Sequence, residues 1–129
     1  MLYFLDTKLL TRIKTKIAEE EESYKFLCKA CKTVIAEERF LLGLNGETYE
    51  HSFINPHGYH FNLYTFSECQ SVIDASLPSF EYTWFPGYAW IIVTCAVCLE
   101  HLGWRFESAK NKPANFYALI KEKLEKEKL

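Results

Sequence analysis

The segment Ala89-Trp-Ile-Ile-Val-Thr-Cys-Ala-Val-Cys98 runs from a nearly unbroken apolar, β-branched stretch into two cysteines separated by two residues. A short apolar run rich in β-branched residues reads as a buried strand. This strand therefore delivers Cys95 and Cys98 together. A second pair, Cys28-Lys-Ala-Cys31, lies about sixty residues upstream. Two thiolates spaced this way can both turn onto one ion from a tight knuckle. Two knuckles complete a tetrahedron of sulfurs at about 2.3 Å from a zinc ion. Such a site has no open position for water, so Cys28, Cys31, Cys95 and Cys98 are expected to hold a structural Zn²⁺. Cys69 stands alone and reads as a small buried hydrophobe.

Outward from this strand the chain punctuates itself with turns. Asn45-Gly46 fits the two positive-φ positions of a type I′ turn, which predicts a hairpin between a strand at Leu42 and Leu44 and one at Tyr49, His51 and Phe53. Asn55-Pro56-His57-Gly58 reads as a further turn, and residues 59–66 alternate like a strand. Leu102–Phe106 is another expected short strand, and one more is expected around Thr33 to Ile35. Residues 7–26 carry Leu9, Leu10, Ile13 and Ile17 at helical spacing and predict an N-terminal helix, with Glu19–Glu22 as a solvated face. Pro113 is placed to begin a last helix, with Phe116, Leu119, Ile120 and Leu124 as its apolar face and Glu122 and Lys126 as an i,i+4 pair.

Length and composition bound the function. The 129 residues suit one domain. The formal net charge of −2 and the absence of a basic stripe argue against nucleic acid. No apolar run reaches the roughly 18 residues of a membrane span. Asp6 and Lys8 interrupt the opening Met1–Leu5 too early for an exported leader, so a cytoplasmic protein is expected. Aromatic residues make up 16% of the chain and concentrate between Tyr49 and Phe106, as in a dense core or a pocket for a flat ligand. All three tryptophans, Trp84, Trp90 and Trp104, fall in that span.

Several motifs then line up in order. Cys-x-x-Cys is followed by Asn55-Pro-His-Gly-Tyr59, by Pro78-Ser-Phe-Glu-Tyr-Thr-Trp-Phe-Pro-Gly-Tyr-Ala-Trp90, by a second Cys-x-x-Cys, and by His101-Leu-Gly-Trp-Arg-Phe106. This order resembles the CULT domain, the thalidomide-binding domain of cereblon, which also occurs as single-domain proteins. The resemblance implies a mainly β fold, the β-tent: two antiparallel sheets pinned by a structural zinc. With the helices read above, it divides the chain into an N-terminal helical extension, 1–26, and a zinc-containing ligand-binding domain with a C-terminal helix, 27–129.

The resemblance further implies that Trp84, Trp90 and Trp104 wall a small cage closed by Phe106. It implies that the backbone of Tyr82 and Trp84 bonds the ligand, with Glu81 and Thr83 on the same loop. Asn55, Pro56 and His57 would form a flap at the mouth. The implied ligand is a small cyclic imide such as a glutarimide or succinimide, a uracil-like ring, or a cyclised imide at a protein C-terminus. Tyr82 and Thr83 depart from animal cereblons, which carry His and Ser there, so the rim would differ. No counterpart of cereblon's ubiquitin-ligase adaptor region is visible, and ligase-receptor function is not carried over.

Two other readings are distinguishable. An aromatic cage also suits a methylated or quaternary ammonium cation through the ring quadrupole, with Glu81 assisting. A β-tent enzyme would need reactive groups. The methionine sulfoxide reductase B scaffold carries a catalytic cysteine after the second zinc pair, and no cysteine follows Cys98. Imide hydrolysis would have to draw on His57, His60, Glu81 or His101, which show no triad spacing. The expectation is a binding module without catalysis.

Overall fold

The computed structural model describes residues 7, 8, 10–12 and 23–129. Nine strands among them make two antiparallel sheets. β1 (Tyr24–Cys28), β2 (Val34–Glu37) and β9 (Leu124–Lys128) form a three-stranded sheet in the order β2-β1-β9. β3 (Glu50–Ile54), β4 (His60–Phe66), β5 (Val72–Asp74), β6 (Ala89–Cys95), β7 (His101–Glu107) and β8 (Asn115–Ile120) form a six-stranded sheet in the order β3-β4-β8-β7-β6-β5.

Strand parity organises the interior. Along β6, Ala89, Ile91, Val93 and Cys95 are buried, while Trp90, Ile92 and Thr94 alternate onto the other face. Directly paired residues of neighbouring strands share a face. Trp90 pairs with Phe106 and Phe106 with Phe116; Ile92 pairs with Trp104 and Trp104 with Ala118. One face of β6-β7-β8 is thus a lattice of large apolar groups. The other face contributes Val93, Cys95 and Leu119 to a core shared with Phe26, Cys28 and Ile35 of the small sheet. The apolar run at 89–94 is continuous because both of its faces are occupied.

Three expected elements differ in the structure. The C-terminal helix is absent: residues 115–120 are β8, Lys121–Lys123 is one 3-10 turn, and Leu124–Lys128 is β9. The apolar set Phe116, Leu119, Ile120 and Leu124 fits a helical stripe, but Phe116, Ala118 and Ile120 also share one strand face, and pairing with β4 and β7 decides between them. Glu122 and Lys126 accordingly do not pair. Glu122 accepts from Asn62 Nδ2 at 2.8 Å, and Lys126 Nζ lies 5.7 Å from the Phe26 ring centroid.

At the N-terminus, residues 7, 8 and 10–12 are helical, but Tyr24–Phe26 belong to β1, so the helix does not run to 26. The rest of that stretch, with Glu19–Glu22, lies outside the described residues. The Asn45-Gly46 hairpin is also not formed. Leu44–Gly46 is a 3-10 turn, and β3 pairs instead with β4 across Asn55–Tyr59. Asn55 explains the preference: its Oδ1 accepts from the His57 and Tyr59 amides at 3.0 and 2.9 Å, and Gly58 supplies the positive φ of 86°.

Gly103 sits where β7 must pass against β8. A methyl group there would lie 2.8 Å from the Leu119 Cα and closer still to the Ala118 carbonyl oxygen, both of them backbone. Gly103→Ala is expected to destabilise the domain by about 3 kcal/mol, the upper range for overpacking. Urea unfolding reads this directly, and a variant with the wild-type midpoint would contradict the close approach.

Candidate functional site

The four paired cysteines converge. Their sulfurs all lie within 4.8 Å of one another, with Cys28 to Cys98 and Cys31 to Cys95 both at 3.6 Å. A tetrahedron with zinc–sulfur bonds of about 2.3 Å has edges of about 3.8 Å, so the donor set fits the ion.

The two knuckles are built alike. Cys28 N–H donates to Thr33 O and Lys32 N–H to Cys28 O; Cys95 N–H donates to Glu100 O and Leu99 N–H to Cys95 O, all at 2.7–2.9 Å. In each, the residue after the second cysteine takes a positive φ, 65° at Lys32 and 64° at Leu99. Two non-glycine residues in this sparsely populated region are held there by the same turn. Lys123 touches both knuckles: its carbonyl accepts from Lys29 N–H, and its ammonium pairs with Glu100. The Cys31 thiol is held down to about 6, chiefly by the Thr33 hydroxyl at 3.0 Å. Cys69 packs at the edge of the same core, and burial pushes its thiol up, away from thiolate chemistry.

On the opposite face of β6-β7 lies a cavity of about 570 Å³. Trp90, Ile92, Trp104 and Phe106 form its floor from the sheet, and Phe61 enters from β4. Trp84 comes from the 79–88 loop and meets Trp104 edge to face, at 4.9 Å between ring centroids and 80° between planes. Phe61 stands edge to face on Trp104 at 5.2 Å.

The indoles are oriented by backbone acceptors. Trp90 Nε1 donates to Glu81 O at 2.8 Å and Trp84 Nε1 to Ile54 O at 3.3 Å. The turn residues Asn55, Pro56 and His57 line the mouth on one side, with Glu81 and Tyr82 on the other. Tyr82 is 77% exposed and has φ 54°, an uncommon conformation for a side chain of its size. His101 completes the lining; its Nε2 lies 3.0 Å from Gly103 O, and burial pulls its pKa down, so it is neutral at pH 7.

Comparison with known proteins places the chain. Residues 24–129 match the family described as Yippee zinc-binding/DNA-binding/Mis18, centromere assembly. The chain belongs to the Yippee/Mis18 family. Among curated proteins, cereblon of Gallus gallus is 32% identical over 121 residues, covering 89% of this chain and 26% of that protein. Cereblon of Danio rerio is 29% identical and covers 89% and 27%; cereblon of Drosophila yakuba is 28% identical and covers 92% and 21%. The chain thus spans about a quarter of the length of the curated relatives it matches. Among solved structures, the Mis18 'Yippee-like' domain superposes with a TM-score of 0.57 at 16% identity, covering 84% of this chain and 98% of that one. The fold is therefore that of a cereblon-like Yippee domain with a zinc centre.

Within this Yippee-type domain, nine of the ten ligand-site residues expected from sequence border the cavity. Thr83 does not: its hydroxyl donates back to Phe85 O at 3.3 Å. Phe61 and Ile92 were not foreseen as lining, because only the pairing register reveals that Ile92 stands beside Trp104. His60 is exposed on β4 and lies outside the lining. No helix among the described residues is long and apolar enough to cross a membrane.

Zinc binding to four thiolates carries apparent energies of about 10–16 kcal/mol, as much as the whole stability of a domain this size. Cys95→Ser is expected to abolish both bound zinc and the cooperative melt. A variant that kept the wild-type melting temperature would refute a structural role for the metal.

Proposed function

We propose that the domain is a non-catalytic binding module for small cyclic imides, held in the cavity walled by Trp84, Trp90 and Trp104. The observation that carries this reading is the combination of three half-buried indoles with backbone at the rim. The volume of about 570 Å³ lies within the usual 300–1,000 Å³ of ligand pockets. A flat imide has a short aliphatic edge that aromatic faces bury, and one N–H between two carbonyls. The peptide groups of Tyr82 and Trp84 take no part in the described backbone hydrogen bonds and are available to that edge. The left-handed turn at Tyr82 is local strain beside a pocket, where such strain often serves binding. Cereblon relatives of about 30% identity over this region support a cereblon-type binding module, the domain type for which the sequence resemblance implies such a ligand.

The side chains favour binding over hydrolysis. His57, Glu81 and His101 border the cavity, but His101 is tied to Gly103 O and no two of them form a hydrogen-bonded acid–base pair. A formal net charge of −2 gives no general attraction for nucleic acid.

Titration of tryptophan fluorescence with glutarimide, beside the open-chain glutaramide, tests the proposal. Saturable change with the ring alone is expected, and Trp84→Ala should reduce affinity at least tenfold while retaining a cooperative melt. Saturation by tetramethylammonium but not by glutarimide would replace the imide with a cation. An unchanged titration curve in folded Trp84→Ala would remove the cavity from the function.

A further inference from the structure

The cavity walled by Trp84, Trp90 and Trp104 is larger than the ring proposed for it. Apolar cavities of roughly 150 Å³ already hold a six-membered ring, and this one measures about 570 Å³. A glutarimide seated among the indoles leaves space toward the mouth, where a natural ligand can carry a substituent. The charges on the lining select the kind of substituent.

Among the described residues that border the cavity, Glu81 is the one carboxylate, and there is no lysine or arginine. Its backbone is anchored at the edge of the cage. The Glu81 carbonyl accepts from Trp90 Nε1 at 2.8 Å, and its N–H donates to Ser79 Oγ at 3.1 Å. The side chain that leaves this anchored backbone is exposed, and its carboxylate has no hydrogen bond or ion pair among the described residues. Elsewhere the carboxylates of Asp74, Glu100 and Glu107 are each paired with a lysine or arginine. The surrounding rings have the same preference as the carboxylate, because an aromatic face attracts cations. Tyr82, next to Glu81, adds an exposed ring at the mouth.

We infer that the ligand is a cyclic imide carrying a positively charged amine substituent, with its ring among the indoles and its cation at the mouth beside Glu81. This rests on the imide reading and narrows it to one charge class. Coulomb attraction needs no hydrogen-bond geometry, so an exposed and mobile carboxylate is sufficient. The gain is modest because solvent reaches the pair, and it is absent for a neutral imide of the same shape.

Two probes of equal shape isolate the charge. One is glutarimide bearing a trimethylammonium group on the ring carbon next to a carbonyl; the other bears tert-butyl there. Both are titrated by tryptophan fluorescence beside unsubstituted glutarimide. The cationic probe is expected to bind about three- to tenfold more tightly than its neutral isostere at low salt. That ratio should shrink as salt is raised from about 0.02 M to about 0.5 M, which screens exposed charges. Glu81→Gln should lower it to about two or less. The salt series on the wild-type chain tests the same charge without a variant.

Saturable binding of glutarimide with equal or weaker binding of the cationic probe would overturn the inference and leave the imide reading standing. Exclusion of both substituted rings while glutarimide binds would do the same, as would a ratio unchanged in Glu81→Gln. Failure of all three rings to bind would overturn both readings together.

Discussion

Four thiolates on one zinc ion join the two sheets, and the rest of the fold depends on that joint. Cys28 and Cys31 leave the small sheet between β1 and β2; Cys95 and Cys98 leave the large one between β6 and β7. The buried core around them draws Phe26 and Ile35 from one sheet and Val93, Leu102 and Leu119 from the other. A core of this size is a thin margin for a 129-residue chain against the entropy of ordering it. The metal site ties two loops that are far apart in sequence, and apolar side chains of both sheets pack around the joint. Lys123 adds a short polar tie between the knuckles, worth little by itself because it is partly exposed.

The same joint sets the cavity through strand register. Cys95 ends β6 on the face that looks toward the zinc, so Trp90 and Ile92 must lie on the opposite face. A slip of one residue would turn Trp90 into the core and Ile91 out of it. The irregularity in pairing between Val93 and Thr94, opposite Gly103, lets β6 and β7 reach their knuckle without disturbing the pairs Trp90–Phe106 and Ile92–Trp104. Metal centre and aromatic floor are thus two ends of one strand pair.

What could be read from the sequence follows from whether the information was local. The cysteine knuckles, the strand at 89–94, the turn at Asn55–Gly58 and the tryptophan segment are each defined by residues close together in the chain. The C-terminal segment is different. Phe116 to Leu124 satisfies both a helical and a strand period, and only its place between β4 and β7 settles the matter. Asn45-Gly46 has good turn chemistry, but Leu41 and Leu42 are captured by the end of β4, with Leu42 N–H donating to Thr65 O at 2.8 Å, so no strand is left to pair across it. β1 is hidden for the opposite reason: Tyr24-Lys-Phe-Leu-Cys28 is short, follows an acidic run, and gains its pairing from β9 at the far end of the chain. Phe61 and Ile92 escaped notice as cavity residues because nothing local distinguishes them from core positions.

A Yippee-like domain at 16% identity keeps this fold, so the fold does not require most of these particular side chains. Three half-buried indoles then need a separate reason, since large aromatic rings stabilise a core most when fully covered. Here two of them have their N–H groups tied to backbone carbonyls, Trp90 to Glu81 in the 79–88 loop and Trp84 to Ile54 at the end of β3, next to the Asn55–Gly58 turn. Rigid strands supply the floor, while the loops supply the rim and orient the rings. A substitution at the exposed rim residue Tyr82 can therefore alter the mouth without touching the zinc ligands or the core. Trp84 is the exception. It stacks on Phe53 on one side and meets Trp104 edge to face on the other, so its ring links β3 to the aromatic floor of the cavity.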